Sequence, residues 1–167
     1  MNSMALDCDT LYEHFGGFWP IHNDGFTAML VVCRKLCDGD LDLVLILSAI
    51  GTRTLMNRRT AGLSYSEFRE GHRPARVSRH INLQSIAEGT GIPRETVRRK
   101  INSLIERGRV RRNEDNTLEV TGQAVADLAP ATQATFDYLL DVGNAVLDIV
   151  AATEKQSADH PGTKKHG

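Results

Sequence analysis

Ser85-Ile86-Ala87-Glu88-Gly89-Thr90-Gly91-Ile92-Pro93-Arg94-Glu95-Thr96-Val97-Arg98-Arg99-Lys100-Ile101 is the stretch from which the rest of the chain can be interpreted. It divides at its glycines. Leu83, Ile86 and Ala87 make a short helical face, and Gly89-Thr90-Gly91 ends it. Pro93 suits the first turn of a new helix, where its missing N–H would have no partner anyway. Val97, Ile101, Leu104 and Ile105 then recur at helical spacing, and Gly108 closes that helix just past its end. The spacing therefore predicts two helices, 83–88 and 94–107, joined by a short turn, a helix-turn-helix. Ala87 is small where the helices must cross, Gly91 tolerates the positive φ of the turn, and Ile92 and Val97 lock the pair. Residues 109–112 and 117–121 flank Asn113-Glu114-Asp115-Asn116, with Val110 and Leu118 or Val120 alternating with polar neighbours, so a small hairpin wing follows.

The second helix carries the chemistry. With Val97, Ile101 and Leu104 turned to a core, 100° per residue sends Glu95, Arg99, Asn102 and Glu106 outward, with Arg98 and Ser103 beside them. Arg pairs bidentately with guanine and Asn with adenine in a major groove. Arg94, Thr96 and Lys100 are placed for phosphate oxygens, which position a protein without specifying a sequence. Arg111 and Arg112 on the wing reach for a minor groove or the backbone, and Arg79, ahead of the first helix, and Ser85, in its first turn, complete the expected DNA-binding set. Glu95 has two readings, a base contact or an acid that favours the positive end of the helix dipole.

The charge distribution agrees, although the total conceals it. The 167 residues hold 20 Lys+Arg and 21 Asp+Glu, a net charge of -1. Residues 1–52 have two bases against seven acids, 53–112 fifteen against five, and 113–167 three against nine. A block of +10 between acidic flanks draws a polyanion whatever the overall balance. Residues 71–112 contain no Phe, Tyr or Trp. Single-strand binders stack bases on aromatic side chains, so the block suits a duplex.

Outward from the motif, Phe15-Gly16-Gly17-Phe18-Trp19-Pro20 reads as an irregular arm, and Asn23 or Asp24 caps a helix through Met29, Leu30, Cys33, Leu36 and Cys37. Asp38-Gly39-Asp40 breaks it. A second helix from Asp40 to Leu55 is apolar nearly all round and reads as buried. Residues 58–80 form a long basic connection with a short helix at 64–69. Thr121 caps a helix through Val125 and Leu128, and Pro130 starts the last one. There Phe136, Leu139, Leu140, Gly143, Val146, Leu147 and Val150 form an apolar stripe, with Asp137, Asp141, Asn144 and Asp148 on the other side. The expected organisation is an arm and core or dimer helices at 1–57, the connection at 58–80, the DNA-binding motif at 81–122, dimerisation helices at 123–153 and a disordered tail at 154–167. The fold class is mainly α, with a small β-hairpin wing and flanking dimerisation helices.

Residues 85–101 resemble the winged helix-turn-helix bacterial transcriptional regulators. Leu104-Ile105-Glu106-Arg107-Gly108-Arg109-Val110 resembles their passage into the wing, and Thr121-Gly122-Gln123-Ala124 the start of the post-wing helix in MarR-type proteins. The core motif is similar in the IclR and GntR families. The likeness covers residues 81–125, and the 58–80 connection is longer than the usual MarR link. The resemblance implies a homodimer joined by terminal helices, reading double-stranded DNA at an inverted repeat, with a small-molecule effector as a further partner. Phe15, Phe18, Trp19 and the first two helices read as packing before they read as an effector pocket.

Other chemistry is expected to be absent. Cys33 and Cys37 sit four apart in an apolar helix, not in the turn that a structural zinc site uses; with Cys8, His14 and His22 upstream they read as core cysteines rather than a metal or redox site. Three cysteines do not make a disulfide scaffold. There is no Gly-rich phosphate loop or nucleophile elbow, and His72 and His80 read as phosphate neighbours, so neither an enzyme nor a cofactor is expected. No stretch is apolar enough for a membrane span, and Met1 to Thr10 lacks a basic start, so a cytoplasmic location is expected. The competing class is a winged-helix protein-interaction module that binds no DNA.

Overall fold

The computed structural model describes residues 7–56, 62, 64–69 and 81–159. The protein is mainly helical, with one two-stranded antiparallel sheet among the described residues. It divides into two compact units, residues 32–131 and residues 1–31 with 132–167.

The first unit is built on α3 (Leu41–Met56), α5 (Leu83–Thr90), α6 (Arg94–Glu106), β1 (Val110–Arg112) and β2 (Leu118–Val120), with the short α4 (Tyr65–Arg69) and α7 (Gly122–Asp127) around them. Its core joins Ile46 and Ile50 of α3 to Ile86 of α5, Val97, Ile101 and Leu104 of α6, and Val110 of β1. These positions lie at helical spacing on each helix, so one apolar stripe from each of three helices meets the base of the hairpin.

Local chemistry sets the ends. Asn82 caps α5, accepting from Ser85 N at 3.1 Å, and Gly91 ends it in the left-handed region at φ 71. Gly108, at φ 69, ends α6. Its N–H donates to Ile105 O and the N–H of Arg109 to Leu104 O, both at 2.9 Å, the paired bonds of a Schellman cap. Thr121 Oγ1 accepts from Ala124 N to open α7. In the hairpin Val110 pairs with Val120, Arg111 with Glu119 and Arg112 with Leu118. Just before α5, the carbonyl of Ile81 accepts from Leu118 N of β2 at 3.3 Å. A Cβ at Gly91 would meet nothing within 4 Å, so Gly91→Ala carries only the left-handed backbone penalty. It should cost about 1–2 kcal/mol in a denaturant melt. An unchanged midpoint would mean that the α5–α6 turn relaxes into another geometry.

The second unit holds α1 (Cys8–Glu13), the greater part of α2 (Phe15–Leu36) and most of α8 (Ala129–Asp159). α2 and α8 run antiparallel: Gly17 faces Ile149, Gly25 faces Tyr138, and His22 Nδ1 lies 2.9 Å from Tyr138 Oη. A Cβ on Gly25 would come within 3.0 Å of the Tyr138 ring, so the glycine allows the close approach. This unit has almost no core. Ala145 and Ile149 are its only buried apolar residues among those described.

Four expectations change. Residues 15–20 are helical, not an irregular arm. Phe15, Trp19, His22 and Phe26 stack along one helical face, at 4.8 Å for Phe15–Trp19 and 5.6 Å for His22–Phe26, and this ladder outweighs the weak helix propensity of Gly16, Gly17 and Pro20. α5 runs on to Thr90 rather than 88, because Thr90 Oγ1 donates to Ile86 O at 2.7 Å and holds the last turn. α8 continues to Asp159 where a disordered tail was expected from 154; residues 154–159 contain neither Gly nor Pro to stop it. α3 packs on α5, α6 and β2 instead of grouping with the N-terminal helices, because Leu43, Ile46, Leu47 and Ile50 are the apolar face that the two motif helices need. The short helix expected at 64–69 is α4. The rest of the 58–80 connection, with Arg79, His72 and His80, and residues 160–167 lie outside the described residues. No helix among those described is long and apolar enough to cross a membrane.

Candidate nucleic-acid interface

α6 is positioned by its buried side. Val97, Ile101 and Leu104 are fully enclosed, which sets the side of the helix that meets the core and leaves Arg94, Glu95, Arg98, Arg99 and Asn102 exposed with Ser103 half-buried. Glu95, Arg98, Arg99, Asn102, Ser103 and Glu106 line an open depression of about 320 Å³ on this face. Glu95 and Arg98 are paired: Arg98 Nε donates to Oε2 at 2.9 Å and Nη2 to Oε1 at 2.6 Å. The Arg98 hydrogen bond holds the Glu95 carboxyl below the usual range, and Glu95 raises the guanidinium of Arg98 in return. Glu95 thus has a local partner as well as its place in the first helical turn. Arg94, Arg99 and Arg112 have no ion pair among the described residues.

Three basic residues face the other way. Lys100 has a side chain only 13 % exposed, and its ammonium contacts Asp40 and, at 3.5 Å, Asp42. Arg107 pairs with Asp38. Arg109 donates through Nε to Asp127 Oδ2 and through Nη1 to Leu36 O, both at 2.9 Å. Burial acts to raise the Asp40 carboxyl, but the Lys100 hydrogen bond and the backbone N–H of Leu43 and Asp42 outweigh it and hold it low. Lys100, expected at a phosphate, is therefore committed to the inside of the fold: two helical positions on from Arg98 the surface has turned toward α3.

On the hairpin, Arg111 lies on Glu119, directly across the ladder, with Nη2–Oε2 at 2.6 Å. Glu119 is almost fully buried, so Arg111 neutralises an acid that β2 carries inward. Arg112 stays exposed. Thr96 is half-buried in the first turn of α6, and Ser85 is exposed with its hydroxyl donating to Asn82 Oδ1 at 3.2 Å. The fold thus gathers Arg94, Glu95, Arg98, Arg99, Asn102 and Ser103 on one face, and it turns Lys100 away.

The sequence reading missed the acidic turn Asp38-Gly39-Asp40-Leu41-Asp42 as a partner of α6. Its alternation of Asp was visible, but the pairing spans 60 residues, and no local pattern specifies such a contact. Among the described residues there is no group of three or more His, Cys, Asp or Glu that could hold a metal. Cys37 is buried and Cys33 half-buried, and burial pushes both thiols up, the behaviour of packed rather than reactive cysteines. No protein family, curated protein or solved structure matches the chain.

Proposed function

We propose that the protein is a sequence-specific double-stranded DNA-binding transcriptional regulator of the winged helix-turn-helix type. α6 enters the major groove, and the 109–121 hairpin lies alongside on the backbone or minor groove. The observation that carries this reading is the outer face of α6: exposed Arg94, Arg99 and Asn102 on a helix whose opposite side is sealed into the core. Arg99 and Asn102 are one turn apart, so both reach base edges from one approach. The three-residue connection between α5 and α6, and the bond from Leu118 N of β2 to the carbonyl of Ile81 just before α5, support the same reading.

The protein acts as a homodimer through α2 and α8. Phe136, Leu139, Leu140 and Leu147 of α8 and Phe15, Trp19 and Phe26 of α2 are all substantially exposed in a unit with almost no core. A dimer reads an inverted repeat, with half-sites one helical turn apart.

Selection of bound fragments from random duplex DNA tests the reading. An enriched palindromic motif is expected, with an affinity that falls steeply with salt as counterions leave the phosphates. Absence of enrichment and of salt dependence would replace it with the protein-interaction module.

A further inference from the structure

We propose that the acidic turn at 38–42 is a clamp that sets the position of α6, with Asp40 the positioning residue and Lys100 a strut rather than a phosphate contact. The inference rests on the reading of α6 as the DNA-reading helix.

Asp40 does two things at once. Its Oδ1 accepts from Asp42 N at 3.0 Å and Leu43 N at 3.3 Å, capping α3. Its Oδ2 takes the ammonium of Lys100 from the middle of α6. One carboxylate thus ties the start of a core helix to the middle of the reading helix. Arg107 lies seven residues beyond Lys100, two turns along nearly the same side of the helix, and it meets Asp38 of the same turn. The turn is itself shaped for this: Asp38 and Gly39 both have positive φ. Two attachments about 10 Å apart fix both the roll and the axial position of a helix.

The apolar core alone leaves roll less well defined, since Val97, Ile101 and Leu104 are smooth side chains. A roll of 20° moves a side chain about 5–6 Å from the helix axis by about 2 Å. Base-edge hydrogen bonds tolerate far less than that. Lys100 is the neighbour of Arg99, so pinning one aims the other. Sequestering Lys100 also removes a cation that would otherwise grip any phosphate backbone without regard to sequence.

The test compares Asp40→Asn and Lys100→Gln in the full chain. Asn retains the helix cap; in Asp40→Asn the 13 % exposed Lys100 keeps Asp42 at 3.5 Å, and in Lys100→Gln the two carboxylates are partly exposed, so neither change leaves a sealed charge without a partner. Affinities for the selected duplex and for random-sequence duplex are measured over a range of salt. Asp40→Asn removes the nearer partner of the ammonium and leaves only Asp42 at 3.5 Å: random-duplex binding should strengthen, the salt slope should steepen by up to about one, and the ratio of selected to random affinity should fall about tenfold. Lys100→Gln should lower the ratio by a similar factor with the slope unchanged. Amide hydrogen exchange along α6 should quicken in both. The clamp is overturned if Lys100→Gln weakens both duplexes alike and reduces the slope by about one, since Lys100 is then a phosphate contact. An unchanged ratio in both variants overturns it too. If the wild type binds no duplex, the DNA reading fails; the exchange measurement then decides the clamp, and unchanged α6 exchange in both variants refutes it.

Discussion

Leu140→Glu is expected to turn the protein into monomers and to weaken binding to an inverted repeat by about 10²–10⁴-fold, the range by which linking two sites exceeds one. At 100° per residue, Phe136, Leu139, Leu140, Gly143 and Leu147 occupy about 100° of arc on α8. Tyr138, Ala145 and Ile149 lie opposite them, and Tyr138 and Ile149 face α2. The helix is therefore apolar on two sides, while its own chain covers one. Leu140 and Leu147 are 62 % and 65 % exposed, and a Cβ on Gly143 would meet nothing within 4 Å, so a second helix can approach closely there. With the exposed Phe15, Trp19 and Phe26 of α2, the unit offers large apolar side chains of the kind that dominate interface energetics. A glutamate at Leu140 would carry charge into that interface and touch nothing buried in its own chain. Light scattering and a duplex titration read the two effects. A wild type that is monomeric at micromolar concentration, or a variant that remains dimeric, removes this surface from the dimer.

Arg99→Ala should lower affinity for the selected duplex by about 10–100-fold and relax the preference at one base position, while random-duplex binding changes little. Arg99 is the central cation of the outer face, and it has no ion pair among the described residues, whereas its neighbour Arg98 is held by Glu95. A free planar fork matches the O6 and N7 edge of guanine. The change removes no core contact, so thermal stability should hold. Equal affinity of variant and wild type for the selected duplex would exclude Arg99 as the base-reading residue.

Most of the local architecture was legible from residues alone because it rests on short-range rules. Gly91 and Gly108 sit at the positive φ values their positions require, Thr121 caps α7, and Val97, Ile101 and Leu104 are buried at the phase their spacing implies. The segment 15–20 was misread for a physical reason. Gly and Pro propensities are worth about 1–3 kcal/mol each, and they were set against an aromatic ladder whose worth appears only once the rings are stacked. The end of α8 was misplaced because a polar sequence without Gly or Pro is compatible with either helix or tail.

Charge shows the boundary between the two kinds of information best. A +10 block was countable from the chain, and the phase of α6 followed from three apolar residues, since helical periodicity is a local property. Which cations remain available was not countable. Lys100, Arg107 and Arg109 are neutralised by Asp38, Asp40, Asp42 and Asp127, and Arg111 by Glu119. Each of these pairings except Arg111–Glu119 brings together residues at least 18 and up to 69 positions apart. Coulomb attraction acts over a few ångströms in space and is indifferent to distance along the chain, so the division of the basic residues into struts and an outward face exists only once the helices are packed.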